Sequence, residues 1–133
     1  MSAYSKTPLA QKLGIKEGAK VLFINEPEDF VKSLASIPYY IVPLDGKSNL
    51  DYVHLFSKEK DELEKLFPKL SHRLNKNGMI WISWPKKASG VTTSLDENII
   101  REIGLANGLV DVKVAAIDEI WSGLKFVYRI KDR

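Results

Sequence analysis

The sequence predicts a three-layer α/β domain with a mostly parallel open sheet of about six strands ending in an antiparallel hairpin. Three observations carry this. Short runs rich in Val, Ile and aromatic residues alternate with stretches of helical spacing along most of the chain. The runs KVLFIN, YYIVP, DYVHLF and MIWISW are mostly apolar, and the first suits a strand buried on both faces. The last two runs stand only about five residues apart, too few for a parallel crossover and suited to a hairpin.

Taken in order, Thr7 before Pro8, with Gly14 after LAQKL, gives an N-cap, a first-turn proline and a terminating glycine for one short helix. Lys20 to Asn25 forms the first strand. Pro27 then opens a helix, PEDFVKSLAS, whose Glu28 and Asp29 suit the positive end of its dipole. Tyr39 to Pro43 is the second strand and Asp51 to Phe56 the third. Their connection, LDGKSNL, has no helical pattern, yet fully extended it reaches about 24 Å against a return of about 17 Å, so a bare crossover fits tightly.

Ser57 can cap the next helix, where Leu63, Leu66, Phe67, Leu70 and Leu74 form one apolar stripe, Pro68 should kink it, and Gly78 should close it. Met79 to Trp84 is the fourth strand. After a polar loop, Leu95 to Asn107 reads as a helix with Ile99, Ile100, Ile103 and Ala106 inward and Gly108 as terminator. Val110 to Ile117 and Gly123 to Ile130 make the hairpin.

Composition narrows the function classes. With 133 residues, one core is expected, and 44% hydrophobic with 28% charged residues is ordinary for a globular domain. A formal charge of +3, from 20 basic and 17 acidic residues, is too scattered for a nucleic-acid face. There is no cysteine, which removes disulfides and thiolate metal sites, and two histidines are few for a metal centre. No signal-peptide pattern or membrane-length apolar run occurs, so a cytoplasmic location is expected. No cofactor is indicated.

Four segments carry a resemblance: YSKTPLAQKLGIKEG from Tyr4 to Gly18, WPKKASGV from Trp84 to Val91, GLVDVKV from Gly108 to Val114, and WSGLKF from Trp121 to Phe126. They resemble a bacterial family of small proteins described only as a domain of unknown function. The order of elements resembles the class I methyltransferase fold in trimmed form. That resemblance implies a Rossmann-like sheet with strand order 2-1-3-4-6-5, one edge strand of the parent fold being lost, and it leaves the chemistry open.

In open α/β sheets, ligands bind beyond the carboxyl ends of the strands, where the strand order reverses. That rule nominates Asn25 and Glu26, Asp45, Ser57, and the loop from Pro85 to Thr93. The first turn, INEPEDF, has no glycine where S-adenosylmethionine enzymes need one for close backbone approach, and its acids suit a helix start better than an anion site. Asp45 could hold ribose hydroxyls, although Asp45-Gly46 is also an ordinary turn.

The loop PKKASGVTTS places Lys86, Lys87, Ser89, Gly90 and Thr92 before a helix, a composition able to meet a phosphate or carboxylate, or else a solvated loop capped by Thr93 or Ser94. Trp84 and Trp121 adjoin polar segments where an indole could stack on a ligand, and Trp81 reads as core. His54, inside an apolar strand, reads as a hydrogen-bonded core residue unless a carboxylate or nucleophile lies beside it.

These residues name no reaction. The expected function is a binding domain that holds a small anionic ligand or a protein partner at the carboxyl edge. The alternatives are a divergent S-adenosylmethionine-dependent methyltransferase and an interaction module that pairs through the hairpin edge, where Lys113, Lys125 and Arg129 would oppose pairing.

Overall fold

The structure, a computed structural model, describes residues 8–34, 39–47 and 49–133. Thr7, the expected N-cap, lies outside them. The first helix, α1 (Leu9–Leu13), ends at Gly14, whose φ of 90° places it in the left-handed region that favours glycine.

Six strands follow: β1 (Lys20–Ile24), β2 (Tyr40–Ile41), β3 (Leu50–Phe56), β4 (Leu74–Pro85), β5 (Leu109–Ala116) and β6 (Trp121–Tyr128). They form one sheet in the order β2-β1-β3-β4-β6-β5. The pairs β1–β2, β1–β3 and β3–β4 are parallel, whereas β6 runs antiparallel to both β4 and β5. This is the expected order. The two longer helices are α2 (Lys60–Arg73) and α3 (Glu97–Ala106).

Side-chain alternation divides the core in two. On one face Leu22, Ile24, Val53, Leu55, Ile80, Ile82, Leu124 and Phe126 pack beneath α2 and α3. On the other, Val21, Phe23, Tyr52, Phe56 and Trp81 meet α1, Phe30 and Leu34. Trp81 is fully buried, and its indole N–H donates to the carbonyl of Leu13 at 2.8 Å, tying the end of α1 to the sheet.

Several local expectations are corrected. The helix expected from Pro27 is a turn followed by one 3₁₀ turn, Lys32–Leu34, because among the described residues of that stretch the buried apolar anchors are Phe30 and Leu34. Its last residue, Ser36, lies outside the described residues. The second strand shrinks from Tyr39–Pro43 to two residues, paired with Lys20 and Val21 at the start of β1. Since β2 stops so early, the connection to β3 has little height to recover, which is why no crossover helix is needed.

Pro68 does not divide α2. The carbonyl it frees belongs to exposed Glu64, where water can satisfy it. Nor does Gly78 end the helix: extended backbone begins at Leu74, which pairs with Leu50 across a bulge. Within α3, Ile100 and Ile103 are buried with Gly104, while Ala106 is exposed.

The cap of α3 is neither Thr93 nor Ser94 but Asp96, whose carboxylate accepts the Ile99 N–H at 2.8 Å. Replacing it, Asp96→Ala, is expected to lower unfolding free energy by about 1 kcal/mol in urea titration.

Candidate functional site: a cleft where the strand order reverses

At the carboxyl edge of the sheet, β1 and β3 deliver Asn25 and Phe56 to a cleft of about 430 Å³. Pro27, Lys58, Glu59, Glu62 and Trp121 complete its lining. Trp121 reaches it because β6 runs antiparallel, so the residue that opens that strand pairs with Pro85 at the end of β4. Its ring stands edge-on to Phe56 at 5.2 Å, making an apolar wall.

The polar side is held by the first turn of α2. Ser57 Oγ donates to Glu62 Oε1 at 2.7 Å and accepts the Glu59 N–H at 3.3 Å. Asn25 Nδ2 points to the second oxygen of Glu62 at 3.5 Å. Asn25 is the single described non-glycine residue with a positive φ, 58°. Asparagine therefore supplies the left-handed turn that glycine would give, but with a side chain that leans over the cleft.

The far wall of the cleft is fixed from the loop after β4: Thr93 Oγ1 and the Ser94 N–H both donate to the carbonyl of Lys58, at 2.7 and 2.9 Å. Lys58, Glu59 and Glu62 are charged while Phe56, Pro27 and Trp121 are not, so the cleft offers an apolar floor, two carboxylates and one ammonium group.

The nominated residues fall into four groups. Asn25 and Trp121 line the cleft, and Ser57 stands behind it. Asp45 is exposed in a turn closed by the Gly46 N–H on the carbonyl of Pro43 at 3.1 Å. That turn is anchored by Arg73 at the far end of α2, away from Asn25, because β2 never rises to the height of the cleft. Trp84 is buried among Leu95 and Ile82 beneath the helices.

Lys86, Lys87, Ser89, Gly90 and Thr92 follow β4 on the same edge but do not contribute to the cleft lining. Lys87–Ser89 forms a 3₁₀ turn ended by Gly90 at φ 75°. The Ser89 hydroxyl is spent inside the loop, donating to the Lys86 carbonyl at 2.6 Å and accepting the Val91 N–H at 3.2 Å. Lys58, Glu59 and Glu62 were missed. Their signal was their place directly after the third strand, beside the nominated Ser57.

His54 is fully buried. It bonds Tyr52 Oη through Nδ1 at 2.8 Å and Ser83 Oγ through Nε2 at 2.6 Å, and stacks on Phe56 at 4.3 Å. Burial lowers its pKa to about 3 and raises that of Tyr52 well above the usual phenol value. The pair with Ser83 places a hydroxyl at hydrogen-bond distance, but both groups are fully buried, and among the described residues no carboxylate bonds the imidazole, so the geometry is that of a neutral core network.

The strand order together with a cleft at its reversal point defines the methyltransferase-like Rossmann fold. Solved structures of that class superimpose well. An S-adenosylmethionine-dependent methyltransferase from Aquifex aeolicus has 14% identity over 89% of this chain and 86% of its own, with a TM-score of 0.64. Magnesium protoporphyrin IX methyltransferase from Synechocystis, with bound SAH, has 13% identity over 90% and 78%, with a TM-score of 0.60. A methyltransferase from Pyrococcus furiosus has 13% identity over 89% and 78%, with a TM-score of 0.57. No family model and no curated protein matches the chain. Among the described residues, no helix is long and apolar enough to cross a membrane.

Proposed function

We propose that this chain is a small-ligand-binding domain that uses the cleft between Asn25, Lys58 and Trp121 to hold a zwitterion of net positive charge on an apolar body. The observation that carries it is Glu62, fixed by Ser57 and Asn25 at the lip of a cleft floored by Phe56 and Trp121. A carboxylate held in place by neighbours costs little further ordering when a cationic group arrives. Glu59 adds a second negative charge, and Lys58 answers the ligand's anionic group. In this reading the loop lysines, Lys86 and Lys87, which follow β4 on the same edge of the sheet, would meet an anionic extension of the ligand or the surface of a protein partner.

A second reading, a divergent S-adenosylmethionine-dependent methyltransferase, is favoured by one observation: Asn25 takes the left-handed conformation at the end of β1 that a glycine would otherwise supply there. S-adenosylmethionine is itself a zwitterion of net positive charge, and its sulfonium would suit an aromatic and acidic cleft. Against it stand the Asn25 side chain over the cleft and the distance of Asp45.

Calorimetry separates the two. Micromolar binding of S-adenosylmethionine, weaker for its uncharged-sulfur demethylated product, supports the second. Binding of a methionine-like zwitterion that carries a second cationic group, without preference for the nucleoside, supports the first. Either ligand should bind at least about ten-fold more weakly to Glu62→Gln and Trp121→Ala. Unchanged affinity in both variants would remove the cleft from consideration.

A further inference from the structure

Lys125 emerges from β6 on the face of the sheet covered by α1. Its ammonium nitrogen ends beside Gly14 and the Met79 side chain, 3.6 Å from where a Cβ on Gly14 would stand. There it borders a cavity of about 140 Å³, at the end of the sheet opposite the cleft. We infer that Lys125 is a carbamylation site, which takes up carbon dioxide on its ε-amine.

Strand register creates the field around it. Lys125 lies directly opposite Lys113 on β5 and, on its other side, opposite Trp81 on β4. Two like charges paired across antiparallel strands repel. Lys113 donates to the carbonyl of Lys12 at 3.0 Å, which holds its charge on the same α1 face. Lys16, two residues after Gly14, adds a third ammonium group within electrostatic reach. Lys125 itself has no hydrogen bond or ion pair to a described residue.

The other charged groups of this region do not neutralise it. Glu17 and Asp51 line a neighbouring cavity of about 300 Å³ with Gly14 and Met79. Asp51 is occupied, accepting the Lys20 N–H at 2.9 Å and the Asn75 amide at 2.6 Å, and neither carboxylate forms an ion pair with Lys125. Lys76 and Arg133 border the smaller cavity. The Lys76 ammonium lies over the ring of Tyr128 at 4.5 Å, on the α2 face, so it takes no part. Arg133 is turned to the Tyr128 carbonyl, to which its Nε donates at 3.0 Å.

Burial first, then Lys113 and Lys16, lower the pKa of Lys125, so more of its amine is uncharged near neutral pH than in an exposed lysine. The nitrogen lone pair forms a bond to the carbon of carbon dioxide, one C=O π pair moves onto oxygen, and the nitrogen releases a proton to water. The charge of the product selects the electrophile. A protonated imine formed on an aldehyde would again be cationic and an amide would be neutral, whereas a carbamate sets a negative charge beside Lys113 and Lys16. The neighbours that oppose the ammonium form therefore favour the carbamate.

The test incubates the full chain with isotopically labelled bicarbonate near neutral pH, esterifies any carbamate with a trialkyloxonium salt, and locates the label by peptide mapping in a mass spectrometer. The Lys125 peptide is expected to carry at least about five-fold more label than the peptides of Lys65 and Lys69, both exposed on α2. Lys125→Arg, which keeps the charge, should lose that label. Lys113→Met should reduce it at least about three-fold, since it removes one of the neighbouring charges. Should Lys113→Met fail to fold, Lys16→Gln on the exposed turn gives the same reading. Bicarbonate should also raise the Tm of the parent, but not of Lys125→Arg, above that in chloride of equal ionic strength. Equal labelling of Lys125 and Lys65 overturns the site, as does parental labelling in both Lys113→Met and Lys16→Gln.

Discussion

Acidification from pH 8 to pH 4 is expected to destabilise this protein by about 3 kcal/mol through His54 alone. The imidazole titrates near pH 6.5 when the chain is unfolded and near 3 when folded. Above pH 6.5 it is neutral in both states and contributes no pH dependence. As pH falls below 6.5 the unfolded chain takes up a proton that the folded one refuses, and stability drops by about 1.4 kcal/mol per pH unit until the folded pKa is reached.

The refusal has a structural cause: both ring nitrogens are engaged, by Tyr52 and Ser83, and the ring is sealed by Phe56 on one side and lies 6.1 Å from Trp81. Urea unfolding at several pH values should show a shallower pH dependence in His54→Gln than in the parent, although the variant starts about 1–3 kcal/mol lower at pH 8 for its lost packing and hydrogen bonds. Equal slopes in the two proteins would show that other groups carry the acid sensitivity.

The largest effect of adding a single methyl group is expected at Gly104. This glycine sits in α3 with the ring of Phe126 pressed against its backbone, and a Cβ there would overlap three carbons of that ring. Phe126 cannot easily withdraw, since it is fully buried and packs edge-on to Phe67 at 5.4 Å. Alanine would normally favour a helix by about 1 kcal/mol over glycine, but overpacking should reverse the sign and leave a net loss of about 2–3 kcal/mol. Calorimetry should register Gly104→Ala as a fall in Tm of roughly 8–12 °C. Adding Phe126→Leu should recover part of it, giving a combined loss smaller than the sum of the two. A Gly104→Ala protein as stable as the parent would mean that α3 stands further from the sheet than described.

The fold was legible where periodicity and punctuation agreed. KVLFI, DYVHLF and MIWISW became strands within a residue or two at their carboxyl ends, because continuous β-branched and aromatic runs bounded by polar residues have few alternatives. The sheet order came from resemblance, since no local pattern encodes which strands are neighbours. PEDFVKSLAS failed as a helix because proline and two acids make a good start signal, while among its described residues only Phe30 and Leu34 are buried to hold it. The loop signal at Lys86 to Thr92 was read correctly as irregular, but composition could not tell which side of that edge it would occupy. Glu62 was invisible for a similar reason: among the alternating charges of KEKDELEK, only the fold distinguishes the carboxylate that meets Ser57 and Asn25.

The place of β6 between β4 and β5 has a consequence for assembly. The neighbour that β5 needs is made after it, so during synthesis every strand but the last can emerge while β5 has nowhere to dock and β4 keeps an unclaimed flank. The sheet closes by insertion rather than by growth at its rim. A nascent chain stalled before Trp121 would thus display two open borders at once, the exposure that holding chaperones recognise, and arrival of the final eight-residue strand would remove both in a single step.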